Sequence, residues 1–405
     1  MTASLRRVVI VGSSLAGLQA AQSLRSAGYG GAIIMVGDEP HLPYDRPPLS
    51  KQLLSGSWDP DRTQLRPDAV IARLGLTWRR GVAAVALDPE QRRVELADGG
   101  TEAYDAVLIA TGTSPRRVAN PLGLTGIRTL RTLDDSVALR AALEDNPRVV
   151  VVGGGFIGAE VAAEARRRSL PVTMVEALSV PLSRGLGTRL GQLCADLHVA
   201  NGVQLLCGVR VSGFEGDGHL ERVVLSDGTV VDADLAVVGI GSEPATAWLE
   251  TSGLTLDDGV VCDSFCRASA PGVYAAGDVA RWHNPLFDEV TRIEHWTNAR
   301  EQAAAAVATL LADHGLGPEP AAYAPVPYVW SDQYGRRIQV AGRTMGAEEV
   351  TVVHHDPDDG ATLALYRFGC RLGGVAGINA SRRLLPFRRM IAGRVGWDEA
   401  LAAAG

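Results

Sequence analysis

The stretch RVVVVGGGFIGAEVAAEARRRSLPVTMVE, residues 148–176, decides the fold. A β-branched run, Arg148 to Val152, leads into Gly153-Gly154-Gly155-Phe156-Ile157-Gly158. A helical stretch, Ala159 to Arg168, follows, and the strand Val172 to Val175 ends on Glu176. Strand, glycine turn, helix, strand and terminal acid are the plan of a dinucleotide-binding βαβ unit. Gly153, Gly155 and Gly158 let the backbone turn sharply and approach a pyrophosphate, which then faces the unpaired N–H groups of the helix N-terminus. Glu176 lies about 20 residues on, where an acid accepts bonds from a ribose and repels a 2′-phosphate. The residues just after it, Ala177-Leu178-Ser179, bring no positive charge, and Arg184 is the nearest cation downstream. The expectation is NADH rather than NADPH.

The same plan occurs upstream. Arg7 to Val11 leads into Gly12-Ser13-Ser14-Leu15-Ala16-Gly17, a helical stretch from Leu18 to Ala27, and an apolar run from Ala32 to Val36 that ends in Gly37-Asp38-Glu39. Ser14 stands where the middle glycine is usual; it is small and can donate a hydrogen bond. The two units are not a tandem repeat. Ala106 to Ile109 runs into Ala110-Thr111-Gly112, and Leu235 to Val238 runs into Gly239-Ile240-Gly241. Each ends on small residues, as a chain does when it passes a cofactor and leaves a domain. Gly272 to Val279 reads as a strand ending in Gly277-Asp278, which is expected to set a carboxylate at a helix start, within reach of a polyol. The first unit is thus interrupted by the second and completed after it.

Thr297 opens an alanine-rich helix, Asn298 to Leu311, and the four prolines between Gly315 and Pro327 read as a linker. The remainder reads as a small α+β unit. Tyr328-Val329-Trp330 begins it; Ile338 to Ala341, Val350 to His354 and Thr362 to Phe368 are its antiparallel strands, and Leu384 to Ile391 its closing helix. It has no glycine fingerprint, so no dinucleotide is expected there.

At 405 residues the chain has room for two or three domains. No run approaches the ~20 apolar residues of a membrane span. The start, Met1 to Arg7, leads directly into a strand, so no signal peptide and a cytoplasmic setting are expected. A formal charge of −7 argues against a dedicated nucleic-acid binder. The five cysteines, Cys194, Cys207, Cys262, Cys266 and Cys370, form neither a Cys-x-x-Cys pair nor a metal-site spacing, and read as structural thiols. No metal site is expected. Of the 39 Lys and Arg residues only Lys51 is lysine. Arginine and lysine are not interchangeable where a compact point charge is needed, which marks Lys51 as a candidate site residue.

Taken together, Pro43-Tyr44-Asp45-Arg46-Pro47-Pro48-Leu49-Ser50-Lys51, Ala110-Thr111-Gly112, Gly153 to Glu160, Ala276-Gly277-Asp278, Glu294-His295-Trp296-Thr297-Asn298-Ala299 and Trp330-Ser331-Asp332-Gln333-Tyr334 identify a family. Over essentially its whole length the chain resembles the FAD-dependent ferredoxin reductases of putidaredoxin reductase type, including the reductases of aromatic-ring dioxygenases. The resemblance implies an α/β, glutathione-reductase-like fold with two Rossmann-like domains. An FAD domain in two pieces, 1–112 and 239–320, is interrupted by an NAD domain, 113–238, and followed by an interface domain, 321–405. It implies that Gly12, Ser14, Leu15, Ala16, Gly17, Asp38, Arg46, Lys51, Ala84, Ala110, Thr111, Gly112, Arg131, Gly277, Asp278, Trp296 and Trp330 line the FAD site. It implies also that Gly153, Gly155, Phe156, Ile157, Gly158, Glu160, Glu176 and Gly241 hold NADH, with Glu160 near the nicotinamide. Lys51, Glu160 and Trp296 are the candidate catalytic residues.

The implied activity is hydride transfer from NADH to FAD, then single-electron transfer to a 2Fe–2S ferredoxin that feeds a haem-thiolate monooxygenase or a Rieske-type oxygenase. Ferredoxins are acidic, so Arg382, Arg383, Arg388 and Arg389, with Arg336 and Arg337, are candidates for a docking face. A monomer or weak homodimer fits. A thiol–disulfide reductase of this fold needs a redox cysteine beside the flavin, and the matching segment, Arg46 to Leu54, has none. An NADH oxidase and a flavin-dependent redox-sensing binding protein are the remaining alternatives.

Overall fold

Runs of β-branched residues between glycine turns produce parallel strands buried on both faces. The computed structural model describes residues 5–404; the Met1–Ser4 lead-in and Gly405 lie outside the described residues. The chain forms two compact units, Met1–Asp45 with Gln64–Ser114 and Glu243–Pro327, and Arg46–Thr63 with Pro115–Ser242 and Tyr328–Gly405.

In the first unit a parallel sheet has the order Val273–Ala275, Ala106–Ile109, Arg7–Val11, Ala32–Gly37, Leu76–Arg80. The strand that completes this sheet comes from beyond residue 242, so the first βαβ unit is interrupted in the chain and continuous in space. The helices Leu15–Ser26 and Trp296–Asp313 pack together on one face, through Leu18, Ala21 and Leu24 against Ala303, Val307 and Leu310. The other face is covered by Leu87, Val94 and Leu96 of a small antiparallel sheet and by Trp282.

The second unit holds another parallel sheet, ordered Val203–Cys207, Val172–Glu176, Val149–Val152, Leu235–Val238, Ile127–Arg128. Its helices include Phe156–Arg167 and Ser183–Ala200. An antiparallel sheet from the C-terminal stretch follows the order Tyr328–Gln333, Arg336–Gly342, Arg371–Ile378, Thr362–Phe368, Glu349–His355. Leu182, Leu186, Leu190 and Cys194 pack onto this sheet through Ile338, Val340, Ala364, Tyr366 and Ile378.

Three readings of the sequence need correction. Arg371–Ile378 is a strand, and a central one, paired on both sides. Its Gly373, Gly374 and Gly377 hide it from a β-propensity reading. Gly374 is there because a Cβ would run into the Arg343 carbonyl. A further short helix, Trp397–Ala402, follows the expected closing helix, which itself spans Ser381–Ala392. Finally, Asp278 does not open a helix: the chain turns after Gly277 and enters the strand Ala280–Asn284. The Gly277 N–H instead donates to Gln302 Oε1, at 2.9 Å, in the Trp296–Asp313 helix.

Candidate dinucleotide and redox site

The two glycine turns are built alike. Gly12 and Gly153 open them with φ of +114° and +98°, a region closed to side chains. A Cβ on Gly12 would strike the Ala110 carbonyl, and one on Gly153 the Gly239 carbonyl. Gly17 and Gly158 sit inside the first helical turn, where a Cβ would strike the carbonyls of Gly12 and Gly153. The middle position differs. A Cβ on Gly155 meets only Gly239 O, at 3.9 Å, so the protein itself leaves room there. This explains why serine is accepted at Ser14, which caps the Leu15–Ser26 helix in extended conformation as Gly155 caps its counterpart. Both cradles therefore fit a dinucleotide pyrophosphate. Leu15 and Phe156 are the first helical residues, followed by Ala16 and by the exposed Ile157.

Glu176 ends its strand nearly buried and already anchors the second cradle. Oε2 accepts from the Gly154 N–H and Oε1 from the Leu178 N–H, both at 2.7 Å. Each oxygen retains a lone pair for a ribose hydroxyl. Gly241, with φ +101°, accepts from the Arg116 N–H at 3.0 Å.

In the first unit, Asp38 is exposed just past the Ala32–Gly37 strand, and Ala84 begins a strand. Ala110 is buried, the Thr111 hydroxyl donates to Ala245 O at 3.0 Å, and Gly112 takes φ +68°. Trp296 is the first residue of its helix, and its indole N–H donates to Asp45 Oδ1 at 2.7 Å. Sequence reasoning named Trp296 and missed its holder, although Asp45 lies inside the quoted motif.

The other proposed flavin residues, Arg46, Lys51, Arg131 and Trp330, belong to the second unit. Pro47 and Pro48 preset a short 3₁₀ turn, Pro47–Ser50, that delivers Ser50 and Lys51. Arg46 Nη1 donates to Arg131 O at 2.5 Å, and the Ser136 hydroxyl to Leu49 O at 2.6 Å. Arg168 Nη2 reaches Leu54 O at 2.5 Å.

This turn meets the second cradle at Glu160, on the helix that the Gly153–Gly158 turn begins. Lys51 Nζ lies 2.7 Å from Glu160 Oε2, with side chains 13% and 4% exposed. Ser50 donates to the same oxygen, and the Ser331 hydroxyl donates to Oε1 at 2.6 Å. Two distant chain segments thus bring three donors to one buried carboxylate. Sequence reasoning named Lys51 and Glu160 separately and missed Ser50 and Ser331. Trp330 lies on the opposite face of its strand from Ser331, beside Tyr328 at 6.0 Å between rings.

The cysteines are all free: Cys194, Cys262 and Cys266 are buried, Cys207 is half-buried and Cys370 exposed. Burial pushes the Cys194 and Cys266 thiols up to about 12, which leaves them inert as thiolates. No helix among the described residues is long and apolar enough to cross a membrane.

Two nucleotide cradles with a buried Lys–Glu pair beside one of them define a class, the two-dinucleotide oxidoreductases. Residues 6–303 match the pyridine nucleotide-disulphide oxidoreductase family and residues 328–404 the reductase C-terminal domain. The chain is 39% identical to the ferredoxin reductase component of chlorobenzene dioxygenase from Cupriavidus sp. (strain PS12), over 98% of this chain and 95% of that protein. It is 37% identical to the ferredoxin–NAD(+) reductase subunit of the benzene 1,2-dioxygenase system from Pseudomonas putida, over 96% and 93%. The reductase in the covalent putidaredoxin reductase–putidaredoxin complex superposes with TM-score 0.91 at 32% identity, over 98% of this chain and 96% of that one. The chain belongs to the ferredoxin–NAD(+) reductases of the pyridine nucleotide-disulphide oxidoreductase family, oxidoreductases that use FAD and NAD(H).

Proposed function

We propose that this chain draws hydride from NADH and delivers single electrons to a 2Fe–2S ferredoxin that serves a haem-thiolate monooxygenase or a Rieske-type oxygenase. The observation that carries this reading is the buried Lys51–Glu160 pair in a segment where a thiol reductase of the same fold needs a redox cysteine. FAD, when bound, supplies a hydride acceptor that can be reoxidised one electron at a time. Residues 1–112 and 239–320 would hold it, with the Gly12, Ser14, Leu15, Ala16 and Gly17 backbone at the pyrophosphate and Asp38 at the ribose. Ala84, Ala110, Thr111, Gly112, Gly277 and Asp278 would complete its lining, and the resemblance adds Arg46, Arg131 and Trp330 to the FAD residues. Trp296 places the positive end of an 18-residue helix at the site, where negative charge is stabilised. Lys51 adds the one compact cation.

Residues 113–238, with Gly241 just beyond them, would hold NADH, with Gly153, Gly155, Phe156, Ile157 and Gly158 at the pyrophosphate, Glu176 at the ribose, and Glu160 towards the nicotinamide. Glu160 is an acceptor fixed by three donors, so it orients its surroundings without moving. Glu176→Ala is expected to lower kcat/KM for NADH about tenfold or more and to narrow the preference over NADPH, because the 2′-hydroxyl loses an acceptor while a 2′-phosphate loses a repelling charge. Steady-state rates with the two nucleotides check this.

For the ferredoxin face we favour the Ser381–Ala392 helix. Arg382, Arg383 and Arg389 are exposed around the half-exposed Leu385, an apolar centre with a cationic rim. Arg388 lies over the Tyr328 ring at 5.1 Å. Arg336 and Arg337 are weaker candidates: the first donates to Asp359 O and the second is paired with Asp332 at 2.8 Å. Reversing Arg382 and Arg389 to glutamate is expected to raise the KM for ferredoxin about tenfold, with ferricyanide reduction unchanged. Ferredoxin turnover should also fall as ionic strength rises. A cytoplasmic setting suits a chain that uses NADH and carries free thiols.

A further inference from the structure

Tyr334 occupies a backbone conformation that tyrosine rarely adopts. The strands Tyr328–Gln333 and Arg336–Gly342 pair Gln333 with Arg336, leaving a two-residue turn of Tyr334 and Gly335 with φ of +52° and +73°. Asn, Asp or Gly is the ordinary choice for the first of these positions. A bulky side chain kept there at a cost in strain points to a task.

The Tyr334 hydroxyl lies 2.8 Å from Nδ1 of His198, in the last turn of the Ser183–Ala200 helix, and the two rings meet edge to face. His198 is fully buried, and desolvation pushes its pKa down to about 4, so the ring is neutral at physiological pH. Its Nε2 and the Gln333 Oε1 are both buried without a hydrogen-bond partner among the described residues. The Gln333 amide is the group that acts against desolvation at His198. The two orphan atoms complement each other, one a carbonyl oxygen that accepts and the other a ring nitrogen able to donate.

The direction of every bond follows from Glu160. Its carboxylate only accepts, so Ser331 donates its one proton to Oε1, at 2.6 Å. Ser331 Oγ must then accept from Gln333 Nε2, at 3.0 Å, which turns the Gln333 carbonyl oxygen towards His198. That oxygen requires Nε2–H on His198, and the bare Nδ1 accepts from Tyr334. The result is one file of donors, Tyr334 to His198 to Gln333 to Ser331, all aimed at Glu160, and each bond polarises the next.

We propose that His198 is a positioning residue for Glu160, acting through Gln333 and Ser331, with Tyr334 fixing its tautomer. The proposal rests on the reading of Glu160 as the carboxylate beside the nicotinamide. His198 and Tyr334 reach Glu160 through this file of donors, so their effect on it is one of orientation.

Two measurements test it on the full-length holoprotein. In ¹⁵N-histidine spectra one ring, assigned by its loss in His198→Phe, should keep the Nε2–H tautomer from pH 5.5 to 8. A ring that titrates near the ordinary 6.5, or that carries its proton on Nδ1, overturns the donor file. In anaerobic stopped flow, His198→Phe should slow the limiting rate of flavin reduction by NADH about three- to tenfold, with Kd for NADH changed less than about twofold. His198→Gln, which restores a donor and an acceptor, should recover most of that rate. Tyr334→Phe, which keeps the ring, should show part of the loss. Unchanged rates in His198→Phe and Tyr334→Phe, or equal losses in the Phe and Gln variants, refute the positioning role. Glu160→Gln separates the two claims: if it too reduces at the wild-type rate, the reading of Glu160 falls and the proposal with it. If it alone is slow, only the positioning chain falls.

Discussion

Lys51→Met should slow reduction of the flavin by NADH about a hundredfold, the loss seen when a fixed charge is removed from a developing negative one. The size follows from two features. The Nζ–Oε2 contact is 2.7 Å between side chains 13% and 4% exposed, so little water is at hand to replace the ammonium. Removing one partner of such a pair also leaves the other buried and unpaired, a loss of about 3–5 kcal/mol in stability for an ion that stays charged. Ser50 and Ser331 still donate to Glu160 in the variant, which should keep the measured destabilisation at the low end of that range. Lys51→Arg is not a rescue, because a planar guanidinium cannot occupy the place of a compact ammonium. Stopped-flow bleaching of the yellow protein and a denaturant melt measure the two effects independently. A Lys51→Met protein that bleaches at the wild-type rate contradicts the role given to the pair.

Gly12→Ala should yield protein purified almost without flavin. The new methyl group would stand at φ +114° against the Ala110 carbonyl, at the junction of two central strands of the parallel sheet. The strain alone is worth about 1–3 kcal/mol, and the turn that must sit against the pyrophosphate is the part that yields to relieve it. Ser14→Gly is the matched control: it restores the common glycine pattern, and flavin content should stay at wild-type level. The ratio of absorbance at 450 nm to that at 280 nm in the purified variants decides the matter. Full flavin occupancy in Gly12→Ala would remove this turn from the FAD site.

Both cradles were legible in the sequence because each residue type there answers a local demand: positive φ at the first glycine and helix-to-turn contact at the third. The middle position makes no such demand on the protein, which is why Ser14 weakened the written motif and not the structure. The interruption of the first sheet was legible too, since the Val273–Ala275 strand, like Ala106–Ile109, is buried and runs into small residues. Other features were hidden for physical reasons. Arg371–Ile378 is held as a strand by two neighbours rather than by its own residues, and its glycines respond to crowding from Arg343 and Phe368 that no local pattern records. Asp278 looked like a helix cap because strand–Gly–Asp so often precedes one; here a turn and a further strand intervene.

The carboxylate cluster shows the limit most clearly. Lys51 stood out as the single lysine and Glu160 through the motif that holds it, yet their contact joins residues 109 apart. Ser50 and Ser331 carry no signal of their own, because a serine becomes a site residue only when the fold turns its hydroxyl towards a charge. Likewise Arg46–Thr63 groups with the nucleotide-binding stretch Pro115–Ser242 although the chain on both sides of it belongs to the other unit. Its ties, Ser136 to Leu49 and Arg168 to Leu54, end on backbone carbonyls, which any sequence would offer.

Electron delivery to ferredoxin is tested by NADH-driven reduction of cytochrome c by the purified protein, with and without an added 2Fe–2S ferredoxin from an oxygenase system. A slow rate is expected without ferredoxin, with a large ferredoxin-dependent rate that falls with rising salt and much poorer turnover with NADPH. If NADH bleaches the flavin while a panel of such ferredoxins adds nothing to the rate, the two-nucleotide assignment stands and electron delivery to ferredoxin is contradicted.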